Sequence, residues 1–121
     1  VVPTERLTGV EAAYWCRIGA KEHLRWVLPH EEERLLNALA RLHASGQDGV
    51  GEGTRRIGSF RACGLLVPVW DLVPGTEAEE VHEPAVAFSA RLAEALALEE
   101  PLTDAERRAR AGLLNRQVTL R

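Results

Sequence analysis

The segment TRRIGSFRACGLLVPVWDL, residues 54–72, decides the fold that we expect for this chain. It joins a glycine-rich loop to the most apolar run of the sequence. Ile57 and Phe60 are spaced as on one face of a short helix. Residues 65–72 are apolar on both faces and predict a well-covered strand, although Pro68 is more typical of an edge or a bulge. The segment therefore predicts a helix followed by a buried strand.

The chain before this segment predicts a β-hairpin. Residues 11–18 and 23–28 alternate between two faces on either side of a four-residue connection, and a period of two is typical of strands. The predicted core face comprises Tyr14, Cys16, Ile18, Leu24, Trp26 and Leu28, and the opposite face comprises Trp15, Arg17, His23 and Arg25.

The opposite face of the hairpin has two interpretations. A half-solvated face with one aromatic lid is the plainer one. The alternative is an interaction surface formed by Trp15, Arg17 and Arg25. An unknown protein partner, a part of the same protein outside this sequence, or a second copy in a homodimer would then cover it.

Helices are predicted around the hairpin and the buried strand. Leucines recur at helical spacing between Pro29 and Gly46, where glycine can end the helix, and Pro84 restarts a helix later in the chain. Residues 116–121 alternate again and predict a short final strand. The predicted capping boxes are Thr76 with Glu79 and Thr103 with Glu106.

These elements predict one α+β domain over residues 1–121. The expected order is β-β-α-α-β-α-α-(β), with a three- to four-stranded sheet that starts with the hairpin and helices packed on one face. The sequence contains no methionine, so we expect the C-terminal domain of a longer protein. No apolar run is long enough to cross a membrane, and a cytoplasmic location is the default expectation.

The loop before residue 54 carries the sharpest candidate site. Gly51 and Gly53 allow a close backbone approach, and Arg55 and Arg56 would stand in the first turn of a helix capped by Thr54. Cations there oppose the helix dipole. A small anion, phosphate or carboxylate, would bind the free N–H groups and both guanidinium groups. The plainer interpretation is a flexible loop whose arginines pair with nearby acids.

The sequence contains no recognisable catalytic or metal-binding set. No two of the four histidines have i, i+4 spacing, and no cysteine or acid completes a metal site. Cys16 and Cys63 stand apart among apolar or small residues, as buried structural cysteines do. We therefore expect no catalytic residue, no metal and no cofactor.

Four stretches of the chain resemble a family of uncharacterised proteins of GC-rich bacteria. They are GEGTRRIGSFRACGLLVPVWDL, YWCRIG, LRWVLP and RARAGLLNRQVTLR, so the resemblance covers nearly all of the segment. It implies the C-terminal part of a longer bacterial protein. Some longer members resemble SEC-C-motif proteins, which have a zinc-binding cysteine and histidine cluster that this sequence lacks. The resemblance implies no catalytic residue.

Three functions remain open from the sequence. The first is a non-catalytic interaction or scaffolding module, and the second is a ligand-binding or enzymatic domain that holds an anion at the glycine-rich loop. The third, nucleic-acid binding through the C-terminal arginines, is disfavoured by the net charge of −3.

Overall fold

The computed structural model describes residues 3–115 of the chain. The prediction of a final strand over residues 116–121 lies outside these residues. The strands are β1 Thr4–Arg6, β2 Ala13–Ile18, β3 Lys21–Trp26, β4 Arg55–Ala62 and β5 Leu65–Asp71. The helices are α1 Glu32–Ala44, a short 3-10 helix Ala78–Val81, α2 His82–Ala97 and α3 Asp104–Asn115.

The five strands form one antiparallel sheet in the order β1-β2-β3-β5-β4. The α+β class is therefore as predicted, whereas the three- to four-stranded sheet and the order β-β-α-α-β-α-α-(β) are wrong. One missed strand is β1, which has only three residues and is too short for a visible alternation. The other is β4.

The helix predicted at the start of the quoted segment is instead the edge strand β4. Ile57 and Phe60 suit a helix face, but residues 55–62 pair with β5 across a two-residue turn. The turn residues Cys63 and Gly64 both have positive φ, 51° and 79°, as a type I′ hairpin turn requires. Cross-strand pairing thus overrides the local helical pattern.

The predicted hairpin is confirmed, but the predicted faces of β2 are reversed. Leu24 and Trp26 of β3 point into the core as expected. Trp15 is the cross-strand partner of Leu24 and is itself buried. Tyr14 and Cys16 therefore lie on the other side. Both sides of β2 carry apolar side chains, so alternation alone does not decide which side is buried.

Local chemistry sets the helix ends. The carboxylate of Glu31 accepts the N–H of Arg34 at 3.0 Å before α1. Gly46, with a φ of 73°, follows its end. The predicted capping box of Thr103 with Glu106 is confirmed, while the box expected at Thr76 with Glu79 lies one residue later, at Glu77 with Glu80.

The core lies between the sheet and the helices. The rings of Trp26 and Trp70 from the sheet and Phe88 from α2 pack together with centroids 5.3–6.2 Å apart. Buried leucines of α1 and Leu113 of α3 join the same cluster. We call this side of the sheet the covered face, and the opposite side the uncovered face, because no described helix joins the core through it.

Candidate functional site

The glycine-rich loop does not have the geometry expected of the anion site. Thr54 precedes a strand, so no helix N-terminus lies here. Arg55 and Arg56 are consecutive strand residues and point to opposite sides. Arg56 pairs in register with Trp70 on the covered face, and Arg55 pairs with Asp71 on the uncovered face. Their guanidinium groups therefore do not enclose one anion.

Polar groups of this loop bind one another. The hydroxyl of Thr54 accepts the N–H of Val50 and donates to the carbonyl of Gly51, both at 2.8 Å. Gly53 has a φ of 75°, and a Cβ there would lie 2.8 Å from Cγ2 of Val73. Gly51 and Gly53 thus allow a tight, closed loop packed against the residues after β5.

Two of the three residues predicted for an interaction surface are held inside the fold. Trp15 is 3% exposed, and its Nε1 donates to the carbonyl of Thr76 at 2.9 Å. Arg17 donates to the carboxylates of Glu22 at 2.6 Å and Glu77 at 2.9 Å. These bonds fasten the hairpin to the turn before the 3-10 helix.

Glu22 is the buried centre of this attachment. Its other oxygen accepts the N–H of Gly75 at 2.8 Å. Hydrogen bonds from Arg17 and then from Gly75 hold the pKa of the Glu22 carboxyl below its usual range. A buried carboxylate is tolerated when it is paired and hydrogen-bonded in this way.

Positive charge is concentrated on the uncovered face. The register aligns Arg6, Tyr14 and Arg25 in one row across β1, β2 and β3. Asp71, whose Oδ1 is 3.0 Å from Nδ1 of His23, is the one carboxylate among the described strand positions on this side. The basic and aromatic residues of this side that are exposed or half-buried, here called the basic face, are Arg6, Tyr14, Lys21, Arg25, Arg55 and Phe60.

The charge of the basic face differs from that of the chain as a whole. Its four cations and the neighbouring aspartate give the described strand positions of this side a charge of +3, counting His as neutral, in a chain of net charge −3. The rest of the chain therefore carries −6. Within residues 3–115, Lys21, Arg25 and Arg55 form no ion pair, and Arg6 has only an exposed contact of 3.6 Å with Glu11.

A cysteine, a histidine and an aspartate are aligned on the uncovered face, but their surroundings do not suit nucleophilic catalysis. Cys16, His23 and Asp71 are neighbours across β2, β3 and β5. Cys16 is 2% exposed, and burial raises the pKa of its thiol, with a smaller opposing effect of Arg25. A buried, protonated thiol is inert. Cys63, expected to be buried as well, is exposed in the β4–β5 turn.

A second region is a cleft of about 390 Å³ between α1, α3 and the start of β4. His43, Arg56 and Arg108 line it. Asp48 contacts two of them: its Oδ2 lies 2.7 Å from Nδ1 of His43 and 3.8 Å from Nε of Arg56. We call this region the cationic cleft. Its other lining residues are Ala44, Ala105, Ala109, Gly112 and Leu113.

Neighbouring elements fix the loop that carries Asp48. Nε1 of Trp70 donates to the Asp48 carbonyl at 2.7 Å. Arg91 of α2 donates to the carbonyls of Gln47 and Gly49 at 3.2 and 2.8 Å. These bonds hold the glycine-rich loop in a position where Asp48 lies beside His43.

Sequence reasoning found Arg25, Arg55 and Arg56 but missed most of both regions. Gly46 predicted the end of α1, and the turn that follows this end brings His43 and Asp48 together. The contact of His43 with Asp48 was not predicted. Arg108 reaches the cleft only because α3 packs against α1, which no local pattern indicates.

No helix described between residues 3 and 115 is long and apolar enough to cross a bilayer. In the same part of the chain, no three histidine, cysteine or acidic residues are grouped as a metal site would need. No curated protein and no solved structure matches the sequence. A family model described as "Family of unknown function (DUF5926)" matches residues 1–121, and the chain therefore belongs to that family.

Proposed function

We propose that this domain is a non-catalytic interaction module that binds an acidic segment of a partner protein across the basic face. The observation that supports this most is the separation of charge: +3 on the described strand positions of one side of the sheet, in a chain of net charge −3. Cations on one surface repel one another, and an acidic partner relieves that repulsion.

The arrangement of side chains suits carboxylates. Arg6 and Arg25 flank Tyr14 in one row, and adjacent strands are about 4.8 Å apart. A guanidinium group binds a carboxylate through two parallel hydrogen bonds. Tyr14 adds an aromatic surface between the two arginines, of the kind that is enriched at protein interfaces.

Two other occupants fit this surface less well. A nucleic acid would be attracted by the basic face but repelled by the charge of −6 on the rest of the chain, and Tyr14 and Phe60 are its only aromatic residues for base stacking. A homodimer through this face would bring two positively charged surfaces together, which costs free energy.

The test is a binding titration with a labelled glutamate-rich peptide, followed by fluorescence anisotropy. We expect the double variant Arg25→Glu/Arg55→Glu to weaken binding at least roughly tenfold, which corresponds to about 1.4 kcal/mol. The matched control is Arg34→Glu/Arg107→Glu, which makes the same change of net charge on exposed positions of α1 and α3. It should retain most of the affinity.

Equal losses in the two double variants would contradict the proposal, because binding would then follow net charge rather than the basic face. A labelled thymidine oligonucleotide serves as the competing probe. If it binds more tightly than the peptide and loses affinity in the same basic-face variant, the partner is a nucleic acid and the proposal is wrong.

A further inference from the structure

We infer that the cationic cleft binds the phosphate group of a small phosphomonoester. This site lies on the helical side of the sheet and is independent of the basic face. It also differs from the anion site expected at the glycine-rich loop, because only Arg56 of that set lines the cleft.

Two guanidinium groups and an imidazole from three separate elements meet in the cleft. His43 comes from α1, Arg56 from β4 and Arg108 from α3. Arg56 is 4% exposed, and charges interact more strongly in such low-dielectric surroundings than in water. Its Nε lies 3.8 Å from the Asp48 carboxylate. The positive charge of the Arg56 guanidinium favours an anion in the cleft.

Arg108 differs from the other arginines of α3. Arg107 is paired with Asp104, and Arg110 is bound to Asn37 and Glu33. Arg108 has no ion pair or hydrogen bond within residues 3–115, and it lines the cleft. It is thus a guanidinium group that can bind a ligand without breaking an internal contact.

The charges suit a phosphomonoester. A phosphomonoester carries a charge of about −1.5 to −2 at neutral pH and three strong acceptor oxygens. Arg56 and Arg108 offer two guanidinium groups, which bind phosphate oxygens in pairs. Asp48 offsets one of these charges, and its contact with His43 at 2.7 Å places the imidazole beside them. Hydrogen-bond donors thus reach the cleft from α1, β4 and α3.

The remaining walls leave room for an organic group. Ala44, Ala105 and Ala109 present only methyl groups, and a Cβ added at Gly112 would have no heavy atom within 4 Å. A cleft of about 390 Å³ lies within the usual range for small-molecule sites. It is larger than a bare phosphate ion requires, which favours a phosphate attached to a small organic body.

The test measures binding of glycerol phosphate, inorganic phosphate and glycerol by ligand-observed NMR. Two variants address the cleft. Gly112→Leu fills it from an open position in α3 and should preserve the fold, because leucine favours helices more than glycine does. Arg108→Gln removes the cation that has no partner within residues 3–115. Arg107→Gln, next to it on α3, is the matched control for charge.

We expect saturable binding of glycerol phosphate to the wild type. Binding should be at least roughly tenfold weaker in Gly112→Leu and in Arg108→Gln. It should be nearly unchanged in Arg107→Gln and in the Arg25→Glu/Arg55→Glu variant. Binding that does not saturate, or that is equal in wild type and Gly112→Leu, would overturn the site. Inorganic phosphate binding as tightly as glycerol phosphate would overturn the phosphomonoester in favour of free phosphate.

Thermal unfolding gives an independent measurement. Phosphate and sulfate stabilise many proteins because they are excluded from protein surfaces. A specific site instead stabilises the folded state by RT ln(1 + L/Kd), where L is the free ligand concentration, so the rise in Tm depends on the affinity of that site. We expect glycerol phosphate to raise the Tm of the wild type more than that of Gly112→Leu. Equal shifts would contradict the inference.

Discussion

The arginines on the two faces of the sheet have different surroundings. On the covered face, Arg17 lies 2.6 Å from Glu22, and Arg61 lies 2.8 Å from Glu32 of α1. On the basic face, Arg25 and Arg55 have no carboxylate partner among residues 3–115. The first group of charges holds elements of the fold together. The second is left accessible, which is the condition for binding another molecule.

The largest difference between the faces should appear when an aromatic side chain is removed from each. Phe88 is fully buried against Trp26 and Trp70, and we expect Phe88→Ala to lower the free energy of unfolding by about 3–5 kcal/mol. Phe60 is only half-buried on the basic face. Phe60→Ala should therefore cost clearly less, as measured by urea denaturation.

Equal losses in these two variants would contradict the distinction between the faces. A loss in Phe60→Ala as large as that in Phe88→Ala would mean that the uncovered face is part of the core.

A smaller difference should appear between two arginines. Arg91 donates to the carbonyls of Gln47 and Gly49, and Arg91→Met leaves both without this donor. We expect a loss of about 1–2 kcal/mol in the free energy of unfolding. Arg55 has no such bond in the described residues, so Arg55→Met should change stability by less than about 0.5 kcal/mol. Chemical denaturation of both variants under the same conditions makes the comparison.

The smallest effect concerns pH. The pKa of Glu22 is lowered in the folded state, so below its ordinary value of about 4.3 the unfolded state binds more protons. The contribution of the Arg17–Glu22 pair to the free energy of unfolding is therefore fully present above about pH 4.3. It is lost as pH falls through the folded-state pKa of Glu22. In Glu22→Gln, the free energy of unfolding should not show this decrease at low pH. Urea denaturation at several pH values measures it.

Arg17→Gln removes the main cause of the shift and should flatten the same part of the profile. If the free energy of unfolding of Glu22→Gln instead falls at low pH as much as that of the wild type, ionised Glu22 does not stabilise the fold and the prediction is wrong.

Parts of this fold were predictable because their causes are local. The hairpin of β2 and β3 follows from alternation, and Thr103 with Glu106 caps α3 through bonds within four residues. The identity of β4 was not predictable in this way. Ile57 and Phe60 satisfy a helical spacing, and only pairing with β5 makes that stretch a strand.

In the candidate regions, too, features with local causes were predictable and features set by distant contacts were not. Arg25 was placed on a hairpin face from alternation, and the structure also puts it on the uncovered side. Trp15 was placed beside it, but the whole core selects which side of β2 is buried. Arg56 was selected as part of a helix N-terminus, and its true neighbours, His43 and Arg108, come from segments far away in sequence.

By itself, the sequence determined the α+β class, the hairpin, the leucine-rich helix α1 and the excess of acidic over basic residues. These depend on spacing, end chemistry and composition within short stretches. Only the tertiary structure decided that β4 is a strand, that Arg55 and Arg56 part to opposite faces, and that an acidic chain has one basic face. Each of these depends on which distant segments pack together, because burial and cross-strand pairing are set by the whole core.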